Sequence, residues 1–127
     1  MDLKSYFEKT EGTGILATAD SDGTVDIALY AKPEVINDST IAFVMKERLS
    51  HQNLRTNLNA AYMFIEKGEG YKGIRLYLTK IREEINSTVV NEFIKKQPVI
   101  ASSKDDSNKF LVFFHIESIY PLVGDKT

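Results

Sequence analysis

Apolar and polar residues alternate along much of the chain, and a few short stretches replace that alternation with helical spacing. Leu3, Tyr6 and Phe7 are spaced for a helix over Leu3–Thr10, which Gly12 and Gly14 stop. From Thr13 to Ala19 the period becomes two, with Ile15, Ala17 and Ala19 on one face, and Asp20-Ser21-Asp22-Gly23 supplies turn chemistry. Val25, Ile27 and Leu29 resume the alternation, which gives a β-hairpin. Pro33 has no N–H for a ladder, so it interrupts this strand or ends it at an edge, and Asn37-Asp38-Ser39 makes the next turn. Ile41, Phe43 and Met45 mark a third strand.

Arg48–Leu58 reads as a helix, with Ser50 as N-cap, Leu54 and Leu58 four apart, and Asn57-Leu58-Asn59 as the stop. Ala60–Ile65 is apolar at both parities, the pattern of a strand buried on both sides or at a subunit contact. After the glycine-rich segment Lys67–Gly73, Ile74, Leu76 and Leu78 hold one parity and Ile81, Glu83 and Ile85 the other, which predicts a bulge near Thr79. Ser87 caps a third helix carrying Val90, Phe93 and Ile94, with Pro98 beyond its end and a polar loop over Ala101–Asn108. The last strand, Lys109–Tyr120, places Phe110, Val112, Phe114 and Ile116 on one face and Leu111 and Phe113 on the other. Covering one face alone would leave a large apolar patch, which favours dimerisation. Six strands and three short helices make a mainly β, antiparallel domain, with a small closed or split barrel as the leading architecture.

At 127 residues the chain holds one domain, residues 1–127, with no repeat or second composition zone. Sixteen Lys and Arg against eighteen Asp and Glu give a net charge of −2, so no global positive field attracts a nucleic-acid backbone. The chain has no Cys, which excludes disulfides, thiolate metal sites and a cysteine nucleophile, and leaves redox chemistry to a bound cofactor. Two His far apart in sequence make no zinc pattern; His115 is expected to be a packed or interface residue, and Glu83-Glu84 an exposed strand end. The amino terminus is polar, and no apolar run is long enough to span a bilayer, so a cytoplasmic location without membrane contact is the default expectation.

The stretch from Ile41 to Phe64 carries the most chemistry, because it places cations and hydroxyls where a strand hands over to a helix. Unpaired N–H groups of a first helical turn favour an anion, and Arg48, Ser50 and His51 add side-chain donors, with Lys46 on the same strand face as Arg48 by parity. The alternative reading is a solvated, capped turn. Tyr71, flanked by Gly70 and Gly73, either swings over a planar ligand or faces solvent.

Taken in order, GILATADSDGTVDIALYAKP, IAFVMKERLSHQNLRTNLNAAYMF and GYKGIRLYLTKIREE resemble the pyridoxamine 5'-phosphate oxidase-like, FMN-binding split-barrel family, in particular its short flavin-binding members. The resemblance implies a homodimer with FMN at the subunit interface. It implies that Leu29, Tyr30 and Ala31 face the flavin ring, that Met45, Lys46, Arg48, Ser50 and His51 face the ribityl phosphate, and that Asn53 matches a recurrent helix asparagine. Tyr71 and Lys72 would come from the other subunit. Many relatives carry Lys before the hydroxyl residue at the helix start, where this chain has Leu49, so Arg48 or Lys46 would supply the charge. The implied function is a flavin-dependent oxidoreductase or electron carrier that exchanges electrons with a small molecule, with its catalytic residues unassigned and no metal. The alternative is a non-enzymatic module holding flavin, heme or another planar ligand.

Overall fold

The computed structural model describes residues 1–85, 91–92 and 109–124. Its elements in chain order are α1 (Leu3–Lys9), β1 (Gly12–Ala19), β2 (Val25–Leu29), β3 (Glu34–Asn37), β4 (Thr40–Lys46), α2 (Leu49–Thr56), β5 (Asn59–Glu66), β6 (Gly73–Ile85) and β7 (Lys109–Pro121). The strands form one antiparallel sheet in the order β2-β1-β5-β6-β7-β4-β3. Seven strands stand where the periodicity predicts six. The additional one, β3, is a four-residue edge strand that starts directly after Pro33, where a missing N–H costs the ladder nothing. The predicted helix after Ser87 and the loop over Ala101–Asn108 lie outside the described residues, apart from Asn91 and Glu92, which are helical and exposed.

Aromatic contacts show how far the sheet curls. Phe43 of β4 packs on Tyr62 of β5 with ring centroids 4.9 Å apart, although two strands separate them in the sheet order. Tyr30, just past β2, meets Phe43 edge-on at 5.8 Å, so side chains rather than ladder hydrogen bonds bring the two ends of the sheet together. The interior is filled by Leu16, Phe43, Tyr62, Phe64, Leu76, Phe110 and Phe114, with Leu3 and Phe7 of α1 covering one opening. Each such side chain removed from water contributes on the order of 1.5–3 kcal/mol. On the outer face of β4 and β7, Ala42, Val44, Leu111 and Phe113 form a second small cluster, with the Arg82 guanidinium 3.6 Å from the centre of the Phe113 ring. The second face of the last strand is therefore buried within one chain. An exposed apolar row lies instead on β2, where Val25, Ile27 and Leu29 are each more than 70% exposed.

Two further expectations, the end and the cap of the second helix, are corrected in detail, while Ile15, Ala17 and Ala19 share one face of β1 as expected. On β1 the buried set is Gly14, Leu16 and Thr18, while Ile15 and Ala17 face outward, paired with Leu29 and Ile27. Helix α2 ends at Thr56 with Asn57 as its C-cap, which leaves Leu58 outside it and half exposed. Its N-cap is Arg48 rather than Ser50, and no side chain caps it. The bulge expected near Thr79 is present as two register shifts in the β6–β7 ladder, at Tyr77/Leu78 and at Lys80/Arg82. The first leaves Glu117 of β7 unpaired and the second leaves Ile81 of β6 unpaired, and both Ile81 and Ile85 are exposed.

A close approach at Gly14 controls how the chain crosses from β2 to β3. The Tyr62 hydroxyl, on a fully buried side chain, donates to the carbonyls of Tyr30 and Ala31 at 3.2 Å each. Burial holds its phenol well above the ordinary tyrosine range. A Cβ on residue 14 would lie 1.9 Å from that hydroxyl and 2.4 Å from the Tyr30 carbonyl oxygen. Gly14→Ala is therefore expected to destabilise the protein by about 1–3 kcal/mol through overpacking, and Tyr62→Phe by about 1–2 kcal/mol through the two carbonyls left without the phenol. Urea denaturation of both variants checks this; unchanged midpoints would rule out the crossing as a structural hinge point.

Candidate functional site

Because β2 and β3 share no ladder, the sheet leaves a split, and a cleft of about 940 Å³ opens along it. One wall is the crossing segment, with Ala28, Leu29, Tyr30 and Ala31; Phe43 and Val44 of β4 form another. The cleft ends at Lys46, Arg48, Leu49 and Ser50, the hand-over from β4 to α2. Since Arg48 gives the helix no side-chain cap, the first-turn N–H groups keep their donor capacity at this end, and the helix dipole adds to the local positive charge. Tyr30 links wall and end. Burial raises its phenol above the ordinary value, partly offset by a hydrogen bond with Ser50 and by the Arg48 charge.

Toward α1 the cleft is lined by Lys4, Glu8 and Lys32. Lys32 donates its Nζ protons to the carbonyls of Phe7, at 2.7 Å, and Thr10, at 3.1 Å, which terminates α1 and ties it to the crossing segment. No local sequence signal marks Lys32 for this role, since its partners lie more than 20 positions away.

The structure brings together Leu29, Tyr30, Ala31, Lys46, Arg48 and Ser50 of the residues singled out in the sequence. Met45 is buried in the core. His51 turns away from the cleft. Its Nδ1 and Nε2 lie 3.0 Å from Glu47 Oε1 and Glu83 Oε2, and its ring stacks on Phe110 at 3.8 Å. Asn53 is also buried and donates to Thr18 Oγ1 at 3.0 Å. Tyr71, 85% exposed, and Lys72 lie at the β5–β6 turn and do not line the cleft of their own chain. Glu83 is not a free strand end, since it pairs with His51 of α2 and with Lys80 of its own strand, and His115 is exposed.

Among the described residues no His, Cys, Asp or Glu group could hold a metal ion, and no helix is long and apolar enough to cross a membrane. No protein-family model and no curated protein matches the chain. Solved structures do match it. An FMN-binding protein from Syntrophomonas wolfei superposes with a TM-score of 0.76 at 20% identity, over 95% of this chain and 84% of that one. A candidate pyridoxamine 5'-phosphate oxidase from Lactobacillus delbrueckii gives 0.64 at 19% identity, over 94% and 92%. The heme storage protein HutZ from Vibrio cholerae gives 0.60 at 15%, also over 94% and 92%. Identities this low show the fold alone, which this chain shares with these proteins.

The carboxylates around His51 give the site an acid limit. For Glu47 the His51 hydrogen bond holds the carboxyl below the ordinary 4.5, with Arg55 adding to it. For Glu83 burial acts upward, but hydrogen bonds from Lys80 and His51 outweigh it and leave the carboxyl below 4.5. Folded-state values below the unfolded ones stabilise the protein fully above about pH 4.5, and that contribution is lost as pH falls through the lower folded values. Urea midpoints measured from neutral pH downward should therefore fall less steeply in acid for Glu83→Gln than for the wild type; parallel curves would show that Glu83 carries none of the acid sensitivity.

Proposed function

We propose that this chain binds FMN in the cleft and serves as a flavin-dependent oxidoreductase or electron carrier. The observation that carries the reading is the layout of the cleft: apolar side chains and backbone along the Leu29–Ala31 wall, and a cationic end at Lys46, Arg48, Ser50 and the uncapped start of α2. That layout suits a planar ring joined to a phosphate, because the ring gains by apolar contact while the phosphate gains from charge-assisted donors. Bound flavin would supply one- or two-electron exchange with a small molecule. The protein's share is to hold the ring against the crossing segment, with Tyr62 keeping the carbonyls of Tyr30 and Ala31 in place, and to receive the phosphate at Arg48 and Ser50.

A homodimer completes this reading. Val25, Ile27 and Leu29 form an exposed apolar row on an edge strand, and Leu29 belongs both to that row and to the cleft. A partner seated on the row would cover it and bring its own Tyr71 and Lys72 toward the ligand. The setting proposed is the cytoplasm. A second reading, a binding module for heme or another planar ligand without turnover, is supported by the shared fold of the heme storage protein and by Leu49, an apolar and half-exposed residue at the cationic end.

Purification followed by a visible spectrum, FMN titration by flavin fluorescence and measurement of subunit mass tests both readings. Stoichiometric FMN binding to a dimer is expected; heme binding without flavin binding would favour the second reading. With FMN bound, Arg48→Ala should weaken affinity by about tenfold and Leu49→Lys should strengthen it by about three- to tenfold, with riboflavin affinity nearly unchanged in both. Equal effects on riboflavin would show that this end of the cleft does not receive the phosphate.

A further inference from the structure

We infer that His51 is a positioning residue, which fixes the first turn of α2 and thereby the anion-receiving end of the cleft without touching the ligand. The inference rests on the flavin reading for the ligand and adds to it the role of a residue whose side chain points away.

Four residues of α2 are buried, and three of them, Ser50, His51 and Asn53, are polar; Leu54 alone is apolar. One apolar anchor leaves an eight-residue helix free to rotate or slide, because apolar contact has no preferred direction. Hydrogen bonds do have one. His51 and Asn53 are two residues apart, which places them about 200° apart around the helix axis. Asn53 reaches Thr18 of β1 on one side. On the other, His51 meets Glu83 of β6, Phe110 of β7 and Glu47 from the turn leading into the helix. The helix is thus held from opposite sides by polar bonds.

The chemistry of the His51 contacts makes this grip demanding. Both ring nitrogens lie 3.0 Å from carboxylate oxygens of different elements, so a shift of the ring toward either one lengthens the contact to the other. Arg55 and Lys80 in turn hold the far oxygens of Glu47 and Glu83. A buried polar side chain of this kind adds little net stability compared with apolar packing, yet a misplaced helix would leave its ring nitrogens without partners. The arrangement therefore selects one pose of α2. His51 is also the third residue of that helix, directly after Leu49 and Ser50, which line the cleft, so fixing its ring fixes the turn they belong to.

The test uses the whole 127-residue chain with His51→Gln, whose single amide nitrogen replaces two opposed ring nitrogens, and with Glu83→Gln, which leaves His51 in place. Affinities for FMN and riboflavin are measured in parallel with thermal melting. Amide NMR shifts of Leu49, Ser50 and position 51 are followed in the wild type and both variants as inorganic phosphate is added. The expected result is an FMN affinity about tenfold lower in both variants with riboflavin affinity within about twofold of the wild type, together with smaller phosphate-induced amide shifts. Equal losses for FMN and riboflavin, or a lower melting temperature with FMN affinity unchanged, would overturn the inference and leave His51 a purely structural residue. If the wild type takes up no flavin but phosphate moves its amides and not those of the variants, the positioning role stands and the flavin reading falls. Absence of both responses in the wild type overturns the inference as well.

Discussion

The buried hydroxyl of Tyr62 is the contact on which the cleft depends. A barrel of this kind must carry its chain from one edge of the sheet to the other, and the residues that cross have no ladder partners for their carbonyls. Tyr62 reaches through the core from β5 and donates to the two carbonyls at the start of the crossing, those of Tyr30 and Ala31. It does so only because residue 14 has no side chain to occupy the space above β1. Lys32 then ties the same segment to the end of α1. The cleft wall is thereby held by interior groups, so its exposed surface stays available to a ligand.

The second half of the cleft is built on a different principle. Helix α2 is short and buries mostly polar groups, so hydrophobic burial contributes little to its placement. Directional bonds to β1 and β6 and ring stacking on β7 take over that task. Apolar packing positions the wall, and charged and polar contacts position the cationic end.

The two edges of the sheet also differ. Strand β3 is short and follows a proline, which limits its pairing with another chain. Strand β2 presents valine, isoleucine and leucine side chains to solvent, in continuity with the outward face of β1 through the pairs Ile15–Leu29 and Ala17–Ile27. That asymmetry places the largest exposed apolar row of the described residues beside the cleft rather than far from it.

Local pattern and composition by themselves determined the strand periods, the turn at Asp20–Gly23, the bulge near Thr79, the placing of cations at the hand-over from β4 to α2, and the absence of any cysteine chemistry. These are legible because period, turn chemistry and capping act over a few residues. Even there, β3 escaped notice because four residues carry too little period to register, and Ser50 looked like a cap because its residue type suits one. Only the tertiary structure decided that Leu29–Ala31 line one cleft with Lys46, Arg48, Leu49 and Ser50, that Met45 and Asn53 are buried outside it, and that the His51 ring packs against Glu83 and Phe110. The physical reason is reach. Glu83 stands 32 positions from His51 and Thr18 stands 35 from Asn53. A side chain's partner at that separation is chosen by how the sheet curls, which no neighbouring residue encodes.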